Sequence, residues 1–542
     1  MHIPPTLRLM LLASLLVGCA PASIAEEEPQ PYNILWITCE DMSSQLGCYG
    51  DEVARTPVLD SLAELSMRFT RAFAPYGVCS PARTALITGM YPNSIGAQHM
   101  RTQRRTSAIA DITDPELLAI PTYEAVPPEG VVCFPELLRR AGYFCTNNSK
   151  TDYQFATPIS AWDENGRSAH WRNREAGQPF FSVINFTITH ESQVWKRRKE
   201  PLITDPASVE VPPYYPDHPV VREDIARNYD NIALMDSMVG QVLQELKDDG
   251  LLDRTIIFFF SDHGSGLPRA KRWVYDSGIE VPLLVRFPDG QGAGTTAEEL
   301  VSFVDFAPTV LSLLDLPIPD YVQGQAFLGK AKAEPRQYIY AARDRMDPAM
   351  ARRRAVRDER FKYVRSYLPE KAFIQFLPYR DRMPLMQTIL QLGEAGELGP
   401  DQWQFTSQTK PEEELYDTQT DPHEIHNLAD DPAYAEKLAE LRAEHLHWME
   451  EIGDLGSMPE AELIKHLWPP DGVQPEVEAP QFTDEGRLET KTPSASISYR
   501  NLGDTRWQLL PSTPLTASGD TLEVVAERLG WKRSDTIQVV MP

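Results

Sequence analysis

The chain has 542 residues, 42% hydrophobic and 24% charged, a globular composition that predicts two or three domains and excludes a disordered or fibrous chain. With 52 Lys and Arg against 78 Asp and Glu the formal net charge is -26, which excludes a general nucleic-acid or anionic-membrane binder; an anionic ligand must be met by a local basic site. Six cysteines are too few for a disulfide scaffold, and Cys39, Cys48, Cys133 and Cys145 are expected as buried thiols, with a disulfide outside the cytoplasm the alternative.

In chain order, Arg8 is followed by an apolar run at 9–17, too short to span a bilayer and of the length of a signal-peptide core. Leu16-Val17-Gly18-Cys19 resembles the lipobox of bacterial lipoproteins; a secretory peptide cut after Ala22 or Ala25 is the alternative. Residues 1–30 are therefore expected to be a signal and tether. The mature protein is expected to be exported, to the periplasm or as a surface lipoprotein anchored through Cys19. Residues 33–38 read as a buried strand and 57–69 as a helix, with Val58, Leu62, Leu65 and Phe69 at helical spacing. Strand-like runs follow at 180–187, 255–260 and 281–286, with helical segments at 231–249 and 308–314. This alternation predicts an α/β domain over 31–330, a mostly parallel sheet sandwiched by helices. Short strands at 337–342 and 361–367 and a closing helix at 433–451 predict a smaller α+β subdomain over 331–470. A Pro-rich acidic stretch at 471–485 reads as a linker, and 486–542 as a small all-β appendage with strands at 495–499 and 521–527.

The stretch that carries chemistry is Cys79-Ser80-Pro81-Ala82-Arg83-Thr84-Ala85-Leu86-Ile87-Thr88-Gly89. Pro81 fits a first helical turn, so residue 79 is expected at a helix N-terminus, where free N–H groups and the helix dipole favour negative charge. Arg83 lies one turn deeper and can point back at the same oxyanion. The string resembles the sulfatase signature, Cys-x-Pro-x-Arg followed by a Leu-x-Thr-Gly ending. The resemblance implies that a formylglycine-generating or anaerobic maturation enzyme oxidises Cys79 to formylglycine. Its hydrate carries two hydroxyls on one carbon, one to attack sulfur and one to expel sulfate and restore the aldehyde.

Glu40-Asp41 and Asp262-His263 each follow a predicted strand, and loops at the carboxyl ends of strands line the ligand crevice of an open α/β sheet. Two acidic pairs placed this way can converge on one cation. Sulfatases carry an acidic pair after the first strand and an Asp-His or Asp-Asn pair in a string like Ser261 to Gly264. The resemblance implies a metal set of Glu40, Asp41, Cys79, Asp262 and His263, with Glu40 standing where the family usually has Asp. Mostly oxygen ligands point to calcium, with magnesium the alternative, and His263 is a poor ligand for either. By the same resemblance Lys150 and Lys271 contact sulfate, and His190 or Lys271 protonates the leaving alcohol. Asp152 stands where the family usually has a His.

His99, Met100 and Arg101 are expected to contact the group bearing the sulfate. Arg104-Arg105, 196–199 and 352–354 are basic clusters that either hold further anionic groups or are solvated faces. Asp305-Phe306-Ala307-Pro308-Thr309, Glu414-Leu415-Tyr416-Asp417 and Asn427-Leu428-Ala429 extend the resemblance over roughly 31–450, implying the alkaline phosphatase-like fold. The strings at 36–41 and 148–153 resemble a bacterial carbohydrate sulfatase subgroup. That implies hydrolysis of sulfate esters of a sulfated polysaccharide or oligosaccharide, releasing inorganic sulfate. The alternatives are a phosphonate or phosphate monoester hydrolase of the same superfamily, and a non-catalytic, lipid-tethered polysaccharide-binding protein. The C-terminal piece resembles the small β-sandwich appended to chitobiases and hexosaminidases.

Overall fold

The computed structural model describes residues 31–103, 113–483, 487–511 and 521–540. The signal and lipobox expectations, Cys19 included, and the Arg104-Arg105 pair lie outside the described residues. Among the described residues no helix is long and apolar enough to cross a membrane.

Nine strands form the central sheet: β1 (Asn33–Cys39), β2 (Met67–Phe73), β3 (Phe144–Asn148), β4 (Glu164–Asn165), β5 (Phe180–Phe186), β6 (Thr255–Ser261), β7 (Glu280–Arg286), β8 (Thr296–Ala297) and β9 (Val301–Ser302). Their order is β4-β3-β5-β1-β6-β7-β2-β8, with β9 beside β2. The central strands β1, β5 and β6 are buried along their whole length because each face meets its own core. Ile34, Trp36, Phe258 and Phe260 pack into one layer, while Leu35, Ile37, Ile257 and Phe259, one residue out of phase, pack into the other. Burying each such side chain stabilises the fold by about 1.5–3 kcal/mol.

The α/β class holds, with three local differences. The segment read as one helix over 57–69 divides into α1 (Pro57–Glu64) and β2. Leu65 is 56% exposed, and Phe69 pairs with Leu283 of β7, so tertiary pairing overrides the helical spacing. Strand β7 runs antiparallel to both β6 and β2, because the chain returns from β6 without crossing the sheet. The helix expected at 231–249 begins earlier and spans Pro219–Asp248. Its first half buries Asp224, Arg227, Asn228 and Asp230, which hides the apolar period.

A second, antiparallel sheet takes β10 (Ile339–Arg343), β11 (Arg353–Arg357), β12 (Phe361–Ser366) and β13 (Glu413–Asp417) in that order. Helix Ala435–Glu451 accompanies it, burying Leu438, Leu441 and Trp448. Strand β11 went unread because its arginines look like a surface cluster. Arg353 and Arg354 are instead fully buried, paired with Glu414 and with Asp344 and Asp454, so neither is available to a substrate.

The last described strands, Ser496–Asn501, Gln508–Leu509, Thr521–Glu527 and Ile537–Val540, form a four-stranded antiparallel sheet. The stretch read as a linker is tied down where it is described. Val477 joins the core of this sheet, and the neighbouring Trp468 donates its Nε1–H to Gly530 O at 2.9 Å.

Candidate active site

The site begins with the register of two parallel strands. Cys39 of β1 lies beside Ser261 of β6, so the chains leaving them place Asp41 and Asp262 together. The Asp262 N–H donates to Cys39 O at 3.0 Å and the Asp41 N–H to Asp262 Oδ1 at 3.2 Å. Helix α2 (Cys79–Thr88) aims its N-terminus at the same point, with Val78 as its extended N-cap. The Cys79 Sγ lies 3.4 Å from His263 Nε2, 3.8 Å from Asp41 Oδ1 and 3.8 Å from Lys271 Nζ. Burial and the charge of Asp262 push the Cys79 thiol well above its ordinary pKa, so an unmodified thiol here stays protonated.

One ligand atom from each of Asp41, Cys79, Asp262 and His263 lies within 4.8 Å of the others, all four residues being buried. The chemistry of this set fits a cation. His263 Nδ1 donates to Gly264 O at 3.0 Å, which places Nε2 toward Asp41 Oδ1 at 3.0 Å and Asp262 Oδ1 at 3.6 Å. Two buried carboxylates facing one another require positive charge beside them. Burial raises the Asp41 carboxyl, but Lys271, His190 and His263 outweigh it and hold it well below the carboxylate range. Asp262 is likewise raised by burial yet held at about 2 by His263 and Arg83. Gly264 is required at its position because an added Cβ would strike Ser277 O.

Glu40, expected in the metal set, is not among these four residues. Neighbouring side chains leaving a strand diverge, and its buried carboxylate pairs with Lys150. Lys150 also lies 3.6 Å from Asp152, the residue in the place of the missing imidazole. Arg83 engages Asp262 Oδ2 through Nε at 2.9 Å and Asn185 Oδ1 through Nη1 at 2.7 Å. It therefore braces an acidic residue of the cluster and keeps a buried Nη2 without a hydrogen-bond partner among the described residues.

Lys271 Nζ donates to both Asp41 oxygens, at 2.8 and 2.6 Å, and lies 3.2 Å from Glu191. Glu191 was missed from sequence. Its N–H donates to Asp41 Oδ2 at 2.6 Å and its carboxylate accepts a two-pronged pair from Arg272, at 3.0 and 2.5 Å. Arg272 and Asn185 were missed as well. Asn185 links Arg83 to Asn147 by accepting from the first and donating to the second at 3.0 Å.

A cavity of about 740 Å³ opens above this cluster, lined by Cys79, Lys150, His190, Lys271, Arg272, Arg101 and Tyr379 among others. Asp41, Arg101, Ser149, Asp152 and Arg272, at or beside it, all hold left-handed backbone, with φ of 54, 59, 71, 52 and 74°. Such strain, about 1–3 kcal/mol each, concentrates where a fold fixes a functional geometry.

The expected substrate contacts divide. Arg101 and Met100 line the cavity, Arg101 pairing with Asp347 at 2.5 Å. His99 does not line it; the ring is buried and accepts the Arg345 N–H through Nδ1 at 3.2 Å. The 196–199 cluster lies outside the cavity wall, with Arg197 held by Glu200 and Asn231. Cys39, Cys48, Cys133 and Cys145 are free thiols, Cys48 half-buried and the others buried.

Similarity to known proteins points to one family. The sulfatase family model matches residues 32–163 and 166–316, and a model described as N-sulphoglucosamine sulphohydrolase, C-terminal, matches 269–381. An ulvan-active sulfatase of Formosa agariphila is 43% identical over 554 residues, covering 94% of this chain and 91% of its own. Human N-sulphoglucosamine sulphohydrolase is 28% identical over 493 residues, covering 83% and 94%. A solved structure in complex with its substrate D-glucosamine-2-N,6-O-disulfate matches with a TM-score of 0.53 at 18% identity, over 79% of this chain and 99% of that one. The phosphonate monoester hydrolase of Agrobacterium radiobacter gives 0.55 at 17% identity, over 85% and 100%. At these identities the two structures speak for the fold alone. On the family model and the 43% identical relative together, this chain belongs to the sulfatase family, hydrolases of sulfate esters.

Proposed function

We propose that this protein removes sulfate from the esters of a sulfated polysaccharide or its oligosaccharides, with residue 79 matured to formylglycine and calcium, or else magnesium, at the acidic cluster. The observation that carries this reading is the meeting of Cys79, Asp41, Asp262, Lys150, Lys271 and His190 at one buried helix N-terminus beneath a cavity. The substrate class is supported by the ulvan-active relative, which is similar over nearly the whole chain, and by the relative named for sulphoglucosamine.

The carboxylates of Asp41 and Asp262 would hold the divalent ion, with His263 and residue 79 beside them; the bound ion supplies Lewis acidity toward a sulfuryl oxygen. Formylglycine hydrate supplies the nucleophilic hydroxyl and the second hydroxyl that releases sulfate. The chain's own residues do the rest. The first turn of α2 turns its free N–H groups toward residue 79 and favours negative charge there. Lys150 and Lys271 neutralise charge growing on the sulfuryl oxygens, the electrostatic contribution expected to be largest in a buried site. Arg83 keeps Asp262 ionised and oriented, and Glu191 with Arg272 fixes Lys271. His190 donates a proton to the departing alcohol oxygen as the S–O bond breaks. Its depressed pKa, due to burial and then Lys271, makes it a readier acid than Lys271, which Asp41 and Glu191 hold charged.

Peptide mass spectrometry of protein produced with a maturation enzyme tests the nucleophile. The expected result is formylglycine at position 79 in active protein. Active protein carrying only unmodified Cys79 would overturn the reading.

A further inference from the structure

The C-terminal sheet has no assigned role, and its last long strand ends against the wall of the active-site cavity. Residues Gln154, Phe155, Ala156 and Thr157 form part of that wall. From the catalytic side, the Gln154 N–H donates to Thr84 Oγ1 of α2 at 3.0 Å, Ala125 N–H donates to Gln154 O at 2.8 Å, and Ala156 N–H donates to Glu124 at 2.8 Å. Beyond Ala156 the main-chain donors turn to the C-terminal sheet. Glu527, at the end of strand Thr521–Glu527 and 7% exposed, accepts the N–H groups of Ile159 at 3.0 Å and Ser160 at 2.5 Å. Arg533 pairs with Glu527 at 3.2 Å and donates to Thr157 O at 3.4 Å. Gly530, with φ +78°, lies so close to Ala125 that an added Cβ would strike its carbonyl oxygen. Arg139 donates to Ile159 O and Ser160 O at 2.9 and 2.7 Å and to Trp507 O at 2.7 Å, tying the same strap to the sheet a second time.

We infer that the C-terminal sheet is part of the substrate-binding apparatus, with Glu527 a positioning residue that, through Ile159 and Ser160, sets the adjoining 154–157 wall for the sugar carrying the sulfate. A buried main-chain donor needs a partner, and here one carboxylate serves buried Ser160 and half-buried Ile159 from a segment some 370 residues away in sequence (367 and 368). Removing it leaves two N–H groups without that partner and loosens the strap between Ala156 and Asp163, which Arg139 still holds at Ile159 O and Ser160 O. The chemistry at residue 79 touches none of these atoms, so the effect falls on substrate fit. This inference rests on the proposed carbohydrate sulfatase activity.

The test compares wild type, Glu527→Gln and Glu527→Ala, all matured, on 4-nitrophenyl sulfate and on a sulfated oligosaccharide. For Glu527→Ala the KM for the oligosaccharide is expected to rise about five- to thirtyfold, the equivalent of losing one or two buried hydrogen bonds. Aryl sulfate kcat should stay within about twofold, because a uniform binding loss leaves kcat unchanged. Glu527→Gln, which keeps one strong acceptor, should recover part of the loss. Hydrogen exchange should quicken at residues 157–160 in Glu527→Ala, and thermal unfolding shows whether that variant folds. Equal KM values in folded variants, or exchange that quickens throughout the chain, would overturn the inference. No sulfate release by wild type from either substrate would instead count against the proposed function.

Discussion

His190 meets the Ser192 hydroxyl and backbone N–H through Nδ1, at 2.9 and 3.2 Å, which leaves Nε2 to exchange a proton with the cavity. Because burial and Lys271 depress its pKa below the ordinary imidazole value, the protonated form is depleted as pH rises past that lowered value. Turnover of a sugar sulfate should therefore fall with rising pH. In His190→Ala it should drop about 10²–10⁴-fold, while an aryl sulfate, whose leaving group needs no proton, should lose far less; pH–rate series on both substrates check this. The acidic cluster gives a second expectation. Chelation should abolish sulfate release and calcium should restore it, and Asp262→Asn should weaken calcium binding by about tenfold or more in titration calorimetry. Cys79, Asp41, Asp262, Lys150, His190 and Lys271 were legible in sequence because each sits in a motif string or at a strand end. Glu191, Arg272 and Asn185 were not, since their meaning lies in partners 81 to 150 residues distant, as Glu191 with Arg272 and with Asp41 show. His99 was misread from its nearness to the signature; the turn that brings Arg101 to the cavity carries His99 into the interior.

Among the elements, helix Glu460–Leu467 docks through a buried pair in which Arg345 donates to Glu460 at 2.7 and 2.6 Å. Burial raises the Glu460 carboxyl, but His99, Arg345 and Tyr123 outweigh it and hold the pKa at about 2, below its ordinary 4.5. Burial holds His99 at about 4, so near neutral pH the Arg345 pair is the charge that acts. A depressed carboxyl stabilises fully above its unfolded value and loses that contribution as pH falls toward 2. Glu460→Gln should cost roughly 2–3 kcal/mol at pH 7, with a gap to wild type that narrows below about pH 4, read from thermal midpoints across that range. The elements legible in sequence were those with a clean period, such as β1, β6 and Ala435–Glu451. Those that bury charge were not: β11 hides Arg353 and Arg354, and the first half of Pro219–Asp248 buries polar side chains where an apolar stripe was sought.

For the whole molecule, a net charge of -26 repels a sulfated chain at long range, so recognition depends on the cationic groups gathered in one cavity. That gathering is a product of topology. Parallel β1 and β6 end together, α2 points its N-terminus at their ends, and the excursion from β6 to β7 delivers Lys271 and Arg272 to the same place. The mixed direction of β7 was illegible because an apolar run carries no sign of its orientation. The central claim is that residue 79 at this junction cleaves sulfate esters of carbohydrate. The measurement that tests it most directly is inorganic sulfate released from defined sulfated oligosaccharides by matured wild type and Cys79→Ala, with an aryl phosphonate in parallel. The account predicts sulfate release by wild type, at least about 10³-fold less by Cys79→Ala, and weaker turnover of the phosphonate. Equal release by the two proteins, or turnover of the phosphonate alone, would contradict it.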